Sequence, residues 1–120
     1  MSLKDCYKAL EGDFDEVLGR LRSERMIQKF VLKFLNDGSY ENLCRALEEG
    51  NNEEAFRAAH TIKGVCQNLS FTKLGNSSSS LTEALRDGGT SQAAELAEQV
   101  KSDYQQTVAA IREFEAETNA

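Results

Sequence analysis

Apolar residues recur at intervals of three and four along most of the chain, the spacing of one face of an α-helix. Shorter patterns begin at about residues 13, 23, 39, 52 and 70, and a longer one runs from Thr90 to about Glu117. They are separated by turn sequences such as Asn36-Asp37-Gly38 and Asp87-Gly88-Gly89, and the chain contains no proline. The pattern therefore predicts an all-α fold.

The helix starts and the connections between the patterns predict how the helices are arranged. Asp13 followed by Glu16 is typical of a capping box that opens a short helix, and Ser23 is expected to cap the next one. Because the connections are only about two to four residues long, consecutive helices should lie antiparallel. We expect one domain over residues 1–120. It should consist of short capping helices over about residues 3–22 and an up-down-up-down four-helix bundle over about residues 23–118.

Composition and charge exclude several classes of function. The chain has 14 Lys and Arg against 20 Asp and Glu, a net charge of -6, and no dense basic run, so a nucleic-acid partner is not expected. Its apolar runs are too short to span a membrane, which favours a cytoplasmic protein, and no surplus apolar face demands a dimer, which favours a monomer. Three cysteines without CxxC spacing argue against a disulfide framework or a zinc site. Cys44 and Cys66 are predicted to be small core residues.

The chain has a single histidine, His60, which falls within the pattern from Asn52 to Leu69. Alanines and larger apolar residues form a stripe on this helix that is centred near Ile62, and the stripe fixes the face that should meet the core. At about 100° per residue, His60 lies about 160° from that centre. The imidazole is therefore predicted to point to solvent.

The residues around His60 suggest why a histidine is placed there. Gly64 lies one turn later on the same exposed face, although a glycine within a helix costs about 1 kcal/mol relative to alanine. We interpret Gly64 as clearance for a partner that approaches the imidazole closely. Lys63 supplies a mobile cation suited to phosphoryl oxygens, and Arg57 and Gln67 are candidates for further contacts with the phosphate or the ring.

This setting favours a phosphoryl carrier over an enzyme. A free imidazole is largely unprotonated near neutral pH and acts as a nucleophile without a dedicated base. The chain has no glycine-rich phosphate loop, so it should not take phosphate from ATP, and no autokinase activity is expected. No cofactor and no metal are predicted for the chain.

The segment from Ala59 to Leu69 reads AHTIKGVCQNL and resembles the signature of histidine-containing phosphotransfer domains, in which alanine-histidine-x-leucine-lysine-glycine stands on a bundle helix. The order of the other elements is also similar to that family, from about Asp13 to Phe114. Two departures are Ser70, where a glycine is common, and Cys66, where a serine is common.

The resemblance implies a function and a set of partners. His60 would accept a phosphoryl group from a receiver-domain aspartate of a two-component phosphorelay and pass it to another receiver aspartate. Lys63 would lie near the phosphoryl group, and Gly64 would be the clearance position. Mg²⁺ would be bound by the partner receiver. The partners would be response-regulator receivers and a hybrid sensor kinase.

In this family the receiver docks on an apolar patch near the histidine, for which Phe56, Ile27 and Phe30 are the candidates. Two other functions remain open from the residues. A docking module would bind receivers without carrying phosphate, and intact Lys63 and Gly64 argue against it. A metal site at His60 lacks a second histidine. The sequence does not indicate the direction of phosphate flow, nor whether the chain stands alone or belongs to a larger kinase.

Overall fold

The computed structural model describes residues 1–88 and 91–119. Within these residues the chain is helical and has no strand, which confirms the all-α prediction. Gly89 and Thr90, the predicted turn and start of the last helix, lie outside the described residues. The helices are α1 (Leu3–Leu10), α2 (Phe14–Leu21), α3 (Glu24–Phe34), α4 (Ser39–Glu48), α5 (Asn52–Leu69), α6 (Thr72–Leu85) and α7 (Ala93–Thr118), with a 3₁₀ turn at Arg86–Gly88 between α6 and α7.

The helices form a bundle around α5. This helix packs against α4 on one side and α6 on the other, and α6 packs in turn against α7. Helix α1 lies along α7. Helix α3, with which the predicted four-helix bundle begins, packs mainly on α2 and touches α5 and α7 only locally. The structure is thus a helical bundle, and its full up-down-up-down order stays a prediction.

Close packing between α5 and α6 places the histidine helix at the centre of the fold. The buried side of α5 consists of three alanines together with Ile62, Cys66 and Leu69. Gly75 of α6 faces it so closely that an added Cβ would lie 3.2 Å from the Cβ of Cys66. Ser77 and Ser78 of α6 are also buried. Small side chains therefore let the two helix backbones approach.

The predicted caps of α2 and α3 are confirmed, but one part of the predicted capping box at α2 is not. The Oδ1 of Asp13 accepts from the backbone N–H of Glu16 at 3.0 Å, and Ser23 caps α3 in the same way. The reciprocal half of the predicted capping box is wrong. The Glu16 carboxylate instead accepts a hydrogen bond of 2.7 Å from the Ser70 hydroxyl.

The cysteine prediction is confirmed for Cys66 and wrong for Cys44. All three cysteines are free thiols. Cys44 lies on the exposed side of α4, whereas Leu43 and Ala46 lie on the side of this helix that faces the core. Burial raises the pKa of the Cys6 thiol to about 11 and that of Cys66 to about 12. Both buried thiols are therefore core residues with little thiolate at neutral pH.

Candidate functional site

His60 lies on the exposed face of α5, as predicted. Its neighbours Ala59 and Ile62 are buried, so the helix turns its apolar stripe inward and the imidazole outward. The imidazole contacts the ring of Phe56, with the ring centroids 6.0 Å apart. Within residues 1–88 and 91–119, no hydrogen bond reaches the imidazole. Neither ring nitrogen is thus engaged by a hydrogen bond to another described residue.

Gly64 lies one turn beyond His60, and the space in front of it is empty. A Cβ added to this residue would meet no other atom within 4 Å among the described residues. Packing within the chain therefore does not require a glycine here, in contrast to Gly75 in α6. The fold does not explain the cost of a glycine at this position of the helix, and clearance for a second molecule stays a prediction.

The other residues predicted around His60 differ in how free they are. Gln67 is exposed and Lys63 is half-buried. Arg57 lines a depression of about 440 Å³ together with the imidazole. Its guanidinium is already paired with Glu53 at 3.2 Å and with Glu54 at 2.9 Å. Arg57 is thus near the site but held by two carboxylates.

The structure adds a residue that sequence reasoning missed. Arg86, at the end of α6, lines the same depression as His60, and its guanidinium lies 5.1 Å from the centroid of the Phe56 ring. It donates to both carboxylate oxygens of Glu83, through Nε at 3.2 Å and Nη2 at 2.9 Å. This hydrogen bonding, with the charges of Arg86 and Lys63, lowers the pKa of Glu83. Nothing local in the sequence links Arg86 to His60, because only the packing of α6 on α5 brings them together.

An apolar groove lies farther along α5, beyond His60. It has a volume of about 620 Å³. Helices α2 and α3, the α3–α4 turn and the last two turns of α5 form its walls, and Lys33 and Arg20 stand among its polar lining residues. Its apolar lining residues are Leu21, Phe30, Phe34, Val65 and Leu69.

The three predicted docking residues have different positions. Phe30 is half-buried and lines this groove, and Phe56 is half-buried beside His60. Ile27 is wrong as a docking residue because its side chain is fully buried in the core. The same helix leaves Met26 exposed over 41% of its surface.

Among the described residues, no group of three or more His, Cys, Asp and Glu side chains is arranged to hold a metal ion. No helix in the described part of the chain is long and apolar enough to cross a membrane.

The fold and this site define a helical domain that presents one accessible histidine on a bundle helix. The family model for the Hpt domain matches residues 35–110, and the chain belongs to the family of histidine-containing phosphotransfer domains. Comparison with curated proteins and with solved structures gave no match. The matched range contains His60, Lys63, Gly64 and Arg86, whereas α1, α2 and α3 lie before it.

Proposed function

We propose that this chain is a phosphorelay carrier that receives a phosphoryl group on His60 from a receiver aspartate and delivers it to a second receiver aspartate. Membership of the Hpt family supports histidine phosphotransfer as the activity. The observation that carries the proposal is the exposed imidazole of His60 beside the empty space over Gly64.

The proposed step is a displacement at phosphorus. A ring nitrogen of His60 forms a bond to the phosphorus of the aspartyl phosphate, and the bond from phosphorus to the aspartate oxygen breaks. The aspartate leaves as a carboxylate, and the ring releases the proton of its other nitrogen to solvent. The reverse steps on a second receiver return the imidazole to its starting state.

The chain's own residues position the phosphoryl group and neutralise its charge. Phosphoryl transfer passes through a loose transition state and needs mainly alignment and charge stabilisation. Lys63, one turn from His60, supplies a cation with a flexible stem. Mg²⁺ would be held by the receiver, and ATP would not be used, so the chain would act as a stoichiometric carrier.

The apolar groove and the Phe56 ring supply the docking surface in this proposal. Phe30 and Val65 line the groove, and Phe56 contacts the imidazole itself. A receiver that covers both would bury apolar surface and hold its aspartate over His60. We further propose that the chain acts as a cytoplasmic monomer whose bundle helices alternate up and down.

Phosphotransfer from labelled receivers tests the proposal. Incubation with phosphorylated receiver domains of the same organism should move acid-labile phosphate onto the chain, and His60→Gln should abolish this labelling completely. Thr61→Val, at the neighbouring exposed position, is the matched control and should still be labelled. Labelling of His60→Gln would remove His60 from the mechanism. Receiver binding without any transfer would favour a docking module.

A further inference from the structure

The ion pair between Glu83 and Arg86 stands at the edge of the His60 site. The guanidinium of Arg86 lies over the ring of Phe56. The imidazole of His60 contacts the same ring. Arg86, Phe56 and His60 line one depression. The guanidinium is therefore beside the reactive group while its hydrogen bonds go to Glu83.

The two arginines of this depression differ in the number of carboxylates that they contact. Arg57 is paired with two carboxylates, Glu53 and Glu54, one turn back on its own helix. Arg86 is paired with one carboxylate, Glu83, and this pair is largely exposed to solvent. The ion pairs of both arginines are exposed and contribute little to stability, so Arg86 leaves its one partner at a small cost. Unlike Arg57, Arg86 also lies over the Phe56 ring that contacts the imidazole.

We propose that Arg86 changes partner when His60 is phosphorylated, releasing Glu83 and binding the phosphoryl oxygens. This inference rests on the proposed function. It makes Arg86 a ligand of the phosphohistidine and Glu83 a positioning residue that holds the guanidinium ready in the unphosphorylated state.

The chemistry of the two anions favours the exchange. A phosphoryl group carries close to two negative charges and three acceptor oxygens, whereas Glu83 carries one charge. A planar guanidinium binds phosphate through two parallel hydrogen bonds, and such charge-assisted bonds are stronger than neutral ones. The aromatic face of Phe56 lies under the guanidinium, and a cation keeps its attraction to such a face while it moves along it.

The exchange should prolong the life of the phosphohistidine. Hydrolysis breaks the bond between nitrogen and phosphorus as water attacks, through a loose transition state that resembles metaphosphate. The guanidinium makes its charge-assisted bonds to the phosphohistidine itself, and these bonds restrict the rotation of the phosphoryl group into the in-line arrangement that attacking water requires. The bound guanidinium therefore slows hydrolysis.

The experiment uses phosphoramidate as the donor, so that no receiver is needed. A His60 nitrogen bonds to phosphorus while the nitrogen–phosphorus bond of phosphoramidate breaks and ammonia leaves. Phosphorus NMR then follows the decay of the phosphohistidine. The Nε–H signal of Arg86, followed in ¹⁵N-labelled protein, reports whether the guanidinium changes its partner.

Four variants give a defined pattern of half-lives. Arg86→Ala should shorten the half-life about fivefold, the scale of one lost charge-assisted contact. Glu83→Gln should lengthen it about twofold, because the guanidinium no longer has a competing carboxylate. The double variant should behave like Arg86→Ala alone. Arg45→Ala, at an exposed position on α4 that does not line this depression, is the matched control and should leave the half-life unchanged.

Several outcomes would overturn the inference, and they differ from failure of the proposed function. Equal half-lives in all variants, or an Arg86 Nε–H signal that does not move on phosphorylation, would refute the exchange. A lengthening by Glu83→Gln that persists in the Arg86→Ala background would show that Glu83 acts by direct repulsion. If wild type forms no phosphohistidine from phosphoramidate or from phosphorylated receivers, the proposed function itself fails, and this inference with it.

Discussion

Two regions of α5 are built in opposite ways. At its C-terminal end, the carbonyls of Asn68, Leu69 and Ser70 accept hydrogen bonds from Arg20 at 2.8 Å, the Tyr7 hydroxyl at 2.7 Å and the Asp13 N–H at 2.8 Å, respectively. Around His60, in the described part of the chain, no hydrogen bond reaches the imidazole. The fold thus fixes the end of the histidine helix and leaves its middle available to another molecule.

The fixed end depends on a part of the chain outside the family match. Tyr7 and Arg20 belong to α1 and α2, which precede the matched residues 35–110. They support Ser70, which ends α5 in the left-handed conformation with φ of 57°. A residue other than glycine pays about 1–2 kcal/mol there. The Ser70 hydroxyl donates to Glu16 and accepts from Arg20, which offsets part of that cost.

A substitution at Gly12 should have the largest effect on the fixed end. An added Cβ would lie 2.6 Å from the Ser70 carbonyl oxygen and 2.9 Å from side-chain atoms of Leu10 and Tyr7. Because one of these atoms belongs to the backbone, Gly12→Ala should destabilise the fold by about 3 kcal/mol. Urea unfolding followed by circular dichroism measures this. A change below about 1 kcal/mol would show that the α1–α2 connection moves away easily.

Substitution of alanine for Gly64 should stabilise the fold, by less than Gly12→Ala destabilises it. Its Cβ would enter open space. Gly64→Ala should therefore raise the free energy of unfolding by about 0.5–1 kcal/mol through helix propensity. The added methyl group would stand where a receiver approaches, and displacement of the reacting atoms by a fraction of an ångström should slow phosphotransfer at least about tenfold.

Gly19 is the control for Gly64. It also lies within a helix, is exposed, and has open space where a Cβ would stand. Gly19→Ala should give a similar gain in stability with transfer unchanged. An unchanged rate of phosphotransfer in Gly64→Ala would mean that the empty space over Gly64 is not needed for the approach of a partner.

The sequence alone predicted the exposed face of α5 around His60 and Gly64, because local rules determine which residues lie on it. Helical periodicity alone places His60 outward and Ile62 inward, since both lie on one long helix with an unbroken apolar stripe. The short motif around His60 then indicated the family. These features require no knowledge of how the helices pack.

The fixed end and the Arg86 contact depend on packing between distant segments, and the sequence did not predict them. Glu16 has the right spacing for a capping box, but the nearby Ser70 hydroxyl takes its carboxylate. Cys44 fits the helical spacing of α4 but lies at its exposed edge. Arg86 lies at the end of a different helix from His60. Local periodicity does not encode such neighbours.

The smallest expected effect on stability concerns Glu11, which follows the last residue of α1. Its carboxylate accepts from Gln106 at 3.0 Å and from Lys73 at 2.9 Å, and these bonds, that of Gln106 first, lower its pKa. A carboxyl group whose pKa is lower in the folded state stabilises the fold above its unfolded pKa of about 4.3. This contribution is lost as the pH falls through the lowered value.

Glu11→Gln should therefore be less stable than wild type near neutral pH, and the difference should shrink as the solution becomes acidic. Urea midpoints of the two proteins between about pH 7 and about pH 3 measure this. Because the ion pair between Glu11 and Lys73 is exposed, salt should also reduce the difference in stability between the two proteins. Glu48→Gln, at an exposed position on α4, is the control and should follow wild type. A difference that stays constant with pH would mean that Glu11 acts through its packing and the charge plays no part.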